Sequence, residues 1–165
     1  MRFRPALGVR SPPAQRHPRV WSSVVNPLED LRAKIDAFGW AVRNVSDADP
    51  AICLSYTVGL TARGHPEVVM TGLPAQVGTA FLNIVGEIVV REGGRFAAGE
   101  ATTELADGPP MPVIAVLDTS GLTAVEALYG QVQALQIVWT DSVGHFPWEP
   151  GYANPPGSQP LLGSP

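Results

Sequence analysis

Two histidines stand beside carboxylates at short spacing. His65 lies in Gly64-His65-Pro66-Glu67, and His145 closes Asp141-Ser142-Val143-Gly144-His145. An imidazole with a carboxylate nearby is the pairing that general acid–base catalysis uses, and the same four side chains carry the nitrogen and oxygen donors that a divalent cation accepts. His65, Glu67, Asp141 and His145 are therefore the candidate catalytic set, in the manner of a small hydrolase or a metal-assisted enzyme. They meet only if the loop after Thr57 and the loop after Thr140 converge at one edge of a sheet. Against this reading, each histidine is single, no His-x-x-x-His or His-Glu-x-x-His helix is present, and loop histidines usually bond a neighbouring backbone group. No metal and no cofactor is assigned. The one cysteine, Cys53, alternates with Ser55 and Thr57 along a strand, where a buried, inert thiol is the usual state. Neither Ser55 nor Thr57 sits in a Gly-x-Ser-x-Gly elbow.

The aromatic residues suggest binding more than reaction. Trp139, Phe146, Trp148 and Tyr152 fall within fourteen residues, interleaved with Gly144, Pro147, Pro150 and Gly151. Such a loop either folds back over the core or walls a ligand cleft. With Tyr56 and Thr57 near the other loop, the candidate ligand-binding residues are Tyr56, Thr57, Trp139, Phe146 and Trp148. They would line a cleft between residues 59–67 and 141–152 that holds a small polar molecule or a protein partner. A third reading makes the chain an interaction subunit that associates through a sheet edge or the aromatic loop.

The elements that must position these residues follow from spacing. Asn26-Pro27 is an N-cap followed by a favoured first helical residue, Leu28, Leu31, Ile35 and Phe38 share a helical face, and Gly39 is the stop, which predicts a helix over 27–38. Residues 40–45 read as a strand and Asp47–Pro50 as its turn. In 51–58, large apolar Ile52, Leu54, Tyr56 and Val58 alternate with the smaller Ala51, Cys53, Ser55 and Thr57, predicting a strand with one well-buried side. A third strand is expected at 67–71. The longest helix follows Pro74 over about 75–91, with Val77, Phe81, Ile84, Val85 and Ile88 on one face. Gly78 and Gly86 weaken it by up to ~1 kcal/mol each relative to Ala, so packing must hold it. A short edge strand is expected within 100–106, a covered central strand at 112–118, a helix at 121–129 and a last strand at 135–140. The order α-β-β-β-α-β-β-α-β predicts an α+β fold, one domain in which a mixed sheet packs against two to three helices. From Asp141 onward there are six prolines in 25 residues and no periodicity, so the chain is expected at the surface or hanging free.

Charge divides the chain. Residues 1–19 hold five arginines and no acid, whereas residues 20–165 hold 15 acids against six bases. An acidic body repels phosphate, so nucleic acid is not expected as a partner. No apolar run approaches the ~20 residues of a membrane helix, and the Arg-rich start lacks the apolar stretch of a secretory signal. A cytoplasmic location is the default. A single cysteine excludes an intramolecular disulfide framework. The expected organisation is a disordered Arg/Pro-rich tail at 1–26, a globular domain at 27–152, and a Pro/Gly-rich tail at 153–165 that is partly ordered.

Several separated segments carry a resemblance: Gly39-Trp40-Ala41-Val42, Ser55-Tyr56-Thr57-Val58-Gly59-Leu60-Thr61 with Gly64-His65-Pro66-Glu67, Thr71-Gly72-Leu73-Pro74, Leu135-Gln136 with Trp139-Thr140-Asp141, Gly144 to Gly151, and Gln159-Pro160-Leu161. Together, over about residues 31–163, they resemble a bacterial family of small proteins known only as a domain of unknown function. The resemblance implies no activity and no ligand.

Overall fold

The structure, a computed structural model, describes residues 26–46 and 53–165. The expectations for the N-terminal tail up to residue 25, for the turn Asp47–Pro50 and for Ala51 and Ile52 lie outside the described residues.

Helix α1 spans Pro27–Phe38, and its boundaries are chemical. The Asn26 side chain accepts from the Leu28 N–H, and Gly39, at φ +94°, returns its N–H to the Ile35 carbonyl. Strands β1 (Ala41–Ser46), β2 (Cys53–Val58) and β3 (Glu67–Leu73) form an antiparallel meander, with a short 3-10 turn at Leu60–Arg63 between the last two. Helix α2 (Ala75–Val90) follows, then β4 (Ala101–Thr102), β5 (Met111–Ala115), helix α3 (Thr123–Tyr129) and β6 (Ala134–Ile137). The sheet order is β1-β2-β3-β6-β5-β4, with β6 parallel to β3 and antiparallel to β5. The last strand therefore enters the middle of the sheet, which makes it mixed and the fold α+β.

Each face of the sheet has its own core. On one, Val68, Met70, Leu135 and Ile137 pack against Leu82, Val85 and Val89 of α2. On the other, Tyr56, Val58, Val69 and Ala134 pack against Leu31 of α1, Val125 of α3 and Leu122 just before it. Two expectations are corrected by this two-sided cover. Strand β2 is buried on both sides, because α2 presses on the small-residue face of Cys53, Ser55 and Thr57. The α2 stripe is also rotated: Gly78, Leu82, Val85, Gly86, Ile88 and Val89 turn inward, while Val77 and Ile84 are exposed. The two glycines permit a close approach to the sheet. A Cβ on Gly78 would strike the Ser55 side chain and one on Gly86 would strike the Trp40 indole, so the helix lies closer to the sheet than any side chain there would permit.

The chain after Asp141 does not hang free. It returns across the second face, where Gln136, fully buried on β6, reads its backbone. The Gln136 amide donates to the Pro160 carbonyl at 2.9 Å and its oxygen accepts from the Leu162 N–H at 2.7 Å. Thr71 also donates to Pro160, and the Gln159 side chain brackets the Trp139 peptide groups, accepting at 3.0 Å and donating at 2.8 Å. Leu162 packs into the second core. Side-chain amides thus supply what a neighbouring strand would, which is why no strand periodicity marks this segment.

Candidate functional site

The four candidate catalytic residues do not form one cluster. Strands β3 and β6 run parallel with Glu67 opposite Ala134 and Val69 opposite Gln136. His65 and Glu67 enter at the start of this pair, and Asp141 and His145 follow its end. Seven residues at about 3.3 Å each separate the two ends of β3 by about 20 Å, so the expected cleft between the 59–67 and 141–152 loops is not built.

At the start of β3, both nominated side chains are buried. Glu67 accepts from five donors: the N–H groups of Gly59, Leu60 and Thr61 at 3.0, 3.3 and 3.0 Å, and the hydroxyls of Thr57 and Thr61 at 2.7 and 2.8 Å. The carboxylate anchors the 3-10 turn by charge-assisted bonds, and Thr57, a candidate ligand-binding residue, is one of its donors. Gly59, at φ +121°, is needed here because a Cβ would crowd the Gly39 carbonyl and the Trp40 backbone. His65 makes two bonds of opposite sense. Its Nε2 accepts from the Phe96 N–H at 2.9 Å, so Nδ1 carries the proton and donates to the Pro66 carbonyl at 2.6 Å. Burial holds its pKa below the ordinary 6.5 and outweighs the Pro66 bond, with the positive charge of Arg95 acting in the same direction as burial. The imidazole is neutral and fully used.

At the other end, Asp141 organises its loop. Oδ1 accepts from the Val143 and His145 N–H groups at 3.0 and 2.8 Å, and Oδ2 from the Ala153 N–H at 2.6 Å. Desolvation works to raise this carboxyl's pKa, but the three backbone donors, with the His145 charge, overcome it and hold it below the ordinary value. His145 is the partner that the structure does bring near: its Nδ1 lies 3.9 Å from Asp141 Oδ2, beyond hydrogen-bond reach, and is buried without a partner. Among the described residues, no three of His, Cys, Asp and Glu gather where they would hold a metal ion.

The candidate ligand-binding residues are also dispersed. Tyr56 is fully buried beneath α3, where its hydroxyl accepts from the Ala124 N–H at 3.3 Å. Trp139 is half-buried against the first core and donates from Nε1 to the Thr71 carbonyl at 2.8 Å. Phe146 and Trp148 stack with centroids 5.2 Å apart and planes 12° apart, Trp148 remaining 38% exposed.

One wall of the expected cleft does line a hollow, with different partners. Gly64 and Pro66 border a cavity of about 630 Å³ whose other walls are residues 95–98, 115–117, Thr119 and residues 131–135. His65, between Gly64 and Pro66, ties their wall to the Phe96 wall through its Nε2 bond to the Phe96 N–H. The residues that sequence reasoning missed are therefore Arg95, Phe96, Gln131 and Gln133. Arg95, one of six bases in an acidic body, was the only signal available for them, and it carried no spacing pattern. A second hollow of about 390 Å³ lies beside β1, over Trp40 and Val42 and beneath Asn83 of α2.

No helix among the described residues is long and apolar enough to cross a membrane. No curated protein and no solved structure matches the chain. A family model matches residues 34–153, from the second half of α1 to the end of the aromatic loop, and includes both the 59–67 and the 141–152 loops; the chain belongs to this family, DUF4262, a domain of unknown function.

Proposed function

We propose that this is a binding domain for a small polar molecule, seated in the 630 Å³ cavity at the start of the β3–β6 pair. One observation carries the reading: the His65 ring, braced through Nδ1 on the carbonyl of its neighbour Pro66, accepts from the Phe96 N–H through Nε2 and so joins the two loops that wall the cavity. The volume falls within the ~300–1,000 Å³ of small-molecule sites, and the lining combines apolar side chains with a few polar ones, Arg95, Thr119, Gln131 and Gln133. Binding is favoured over acid–base catalysis because Glu67, His65 and Asp141 already spend their polar atoms on holding backbone. The test is a fragment screen read by amide chemical shifts on labelled protein. Hits are expected to move Gly64, Ala97, Ala98 and residues 131–135, and an Ala98→Trp variant that keeps its melting temperature should lose them. Hits that cluster instead around Trp40 and Asn83, or around Phe146 and Trp148, would overturn this site.

A further inference from the structure

The ligand class can be read from the charge in this cavity; the inference rests on the binding site proposed above. Arg95 is the only formally charged side chain in its lining. Among the described residues the pairs within 4.0 Å are Lys34 with Asp30, Arg91 with Glu87 and the His145–Asp141 approach, and Arg95 is in none of them. Its guanidinium is nevertheless placed: Nη2 donates to the Gly64 carbonyl at 2.9 Å, which fixes the head at the rim, and among the described residues no other hydrogen bond occupies its N–H groups. A guanidinium held by one bond, with no carboxylate against it, presents a fork that matches a planar two-oxygen anion.

The surroundings narrow the choice. An adjoining hollow of about 280 Å³ shares Arg95 and Phe96 but is lined by Glu100 and Glu104, so an anion is repelled on that side and favoured on the other. Beyond Arg95 the larger cavity offers Phe96, Val116, Val132 and Leu135, and its remaining polar groups are the neutral Thr119, Gln131 and Gln133. A single cation in an acidic body suits one negative charge better than the two of a phosphate monoester. We infer that the cavity binds small monocarboxylates, with the carboxylate forked onto Arg95 and an apolar body lying against Val132 and Leu135.

The experiment compares phenylacetate with phenylacetamide, which has the same shape and no charge, by amide shift titration of the full chain at low salt. Phenylacetate should move the amides of Gly64, Ala97, Ala98 and residues 132–135 and bind about tenfold more tightly than the amide. Arg95→Gln should erase that preference, and Arg95→Lys, a point charge without the fork, should keep only part of it. Since Arg95 is exposed, both variants are expected to melt with the parent. Equal binding of the two probes at these amides, or a preference that survives Arg95→Gln, would overturn the carboxylate inference while leaving the cavity as a binding site. Shifts from neither probe at these amides, with fragments also silent there, would remove the site itself.

Discussion

His65 shows how one side chain can answer for two loops. Its Nε2 must be unprotonated to accept from Phe96, so protonation replaces a bond with two facing donors. Its folded pKa is depressed below the 6.5 of the unfolded chain, so the unfolded state binds the proton more readily. The His65 contribution is then complete above pH 6.5, declines as pH falls below that value, and levels once pH passes the folded pKa. Denaturant melts at stepped pH should show this decline, and His65→Gln should flatten it; an unchanged slope in the variant would assign the decline elsewhere. At neutral pH, His65→Ala is expected to cost ~3 kcal/mol, for a buried ring and two bonds lost together. Sequence alone placed this histidine beside a strand entrance but could not tell that its partner lay 31 residues away at Phe96. Glu67 was legible as a carboxylate in a loop motif, while the five donors around it exist only once the 3-10 turn closes.

Helix α2 carries the argument at the scale of an element. Its limits, from the Pro74 entry to the stop near residue 91, follow from local chemistry, and they matched. Its orientation does not, because a window of apolar residues permits several stripes, and a glycine within a helix marks a weakness and a close contact alike. Magnitudes decide the sign of a substitution here. Gly86→Ala gains up to ~1 kcal/mol of helix propensity, but the added methyl meets a rigid indole held by Asn83 at 3.1 Å, and overpacking of this kind costs about 1–3 kcal/mol. A net loss is expected in chemical denaturation, together with a shift of Trp40 fluorescence. A stabilised variant would mean that α2 can lift from the sheet at little cost. In β2 the alternation of large and small residues marks a strand, but it does not say whether the side bearing the small residues is covered. They are small because a helix lies against them.

At the scale of the whole molecule, the chain end completes the second face. Removing residues 158–165 would take from Gln136, the Thr71 hydroxyl, the Trp139 peptide groups and the Leu117 N–H their partners in that segment, and leave Gln136 and Thr71 bonded to each other. Several buried polar groups lost at about 1 kcal/mol each, plus the Leu162 contact, predict a loss of ~4 kcal/mol, or roughly 10 °C in melting temperature for a domain of this size. A truncated chain that melts with the parent would show that the segment rests on the molecule without holding it. Gln136→Leu tests the same contact at one position and should lower stability in the same direction.

The features legible along the chain are those that depend on near neighbours. The caps of α1, the order of helices and strands, the α+β class and the family resemblance all rest on residues a few positions apart, where backbone geometry and periodicity act. Tertiary structure decided which distant loops share a space. The parallel docking of β6 onto β3 sent Asp141 and His145 to one end of the sheet and His65 to the other, since a strand's direction fixes where its flanking loops emerge. The same docking brought residues 64–66, 95–98 and 131–135 around one cavity, a juxtaposition that no local spacing encodes, because it is set by strand order and not by any interaction along the chain.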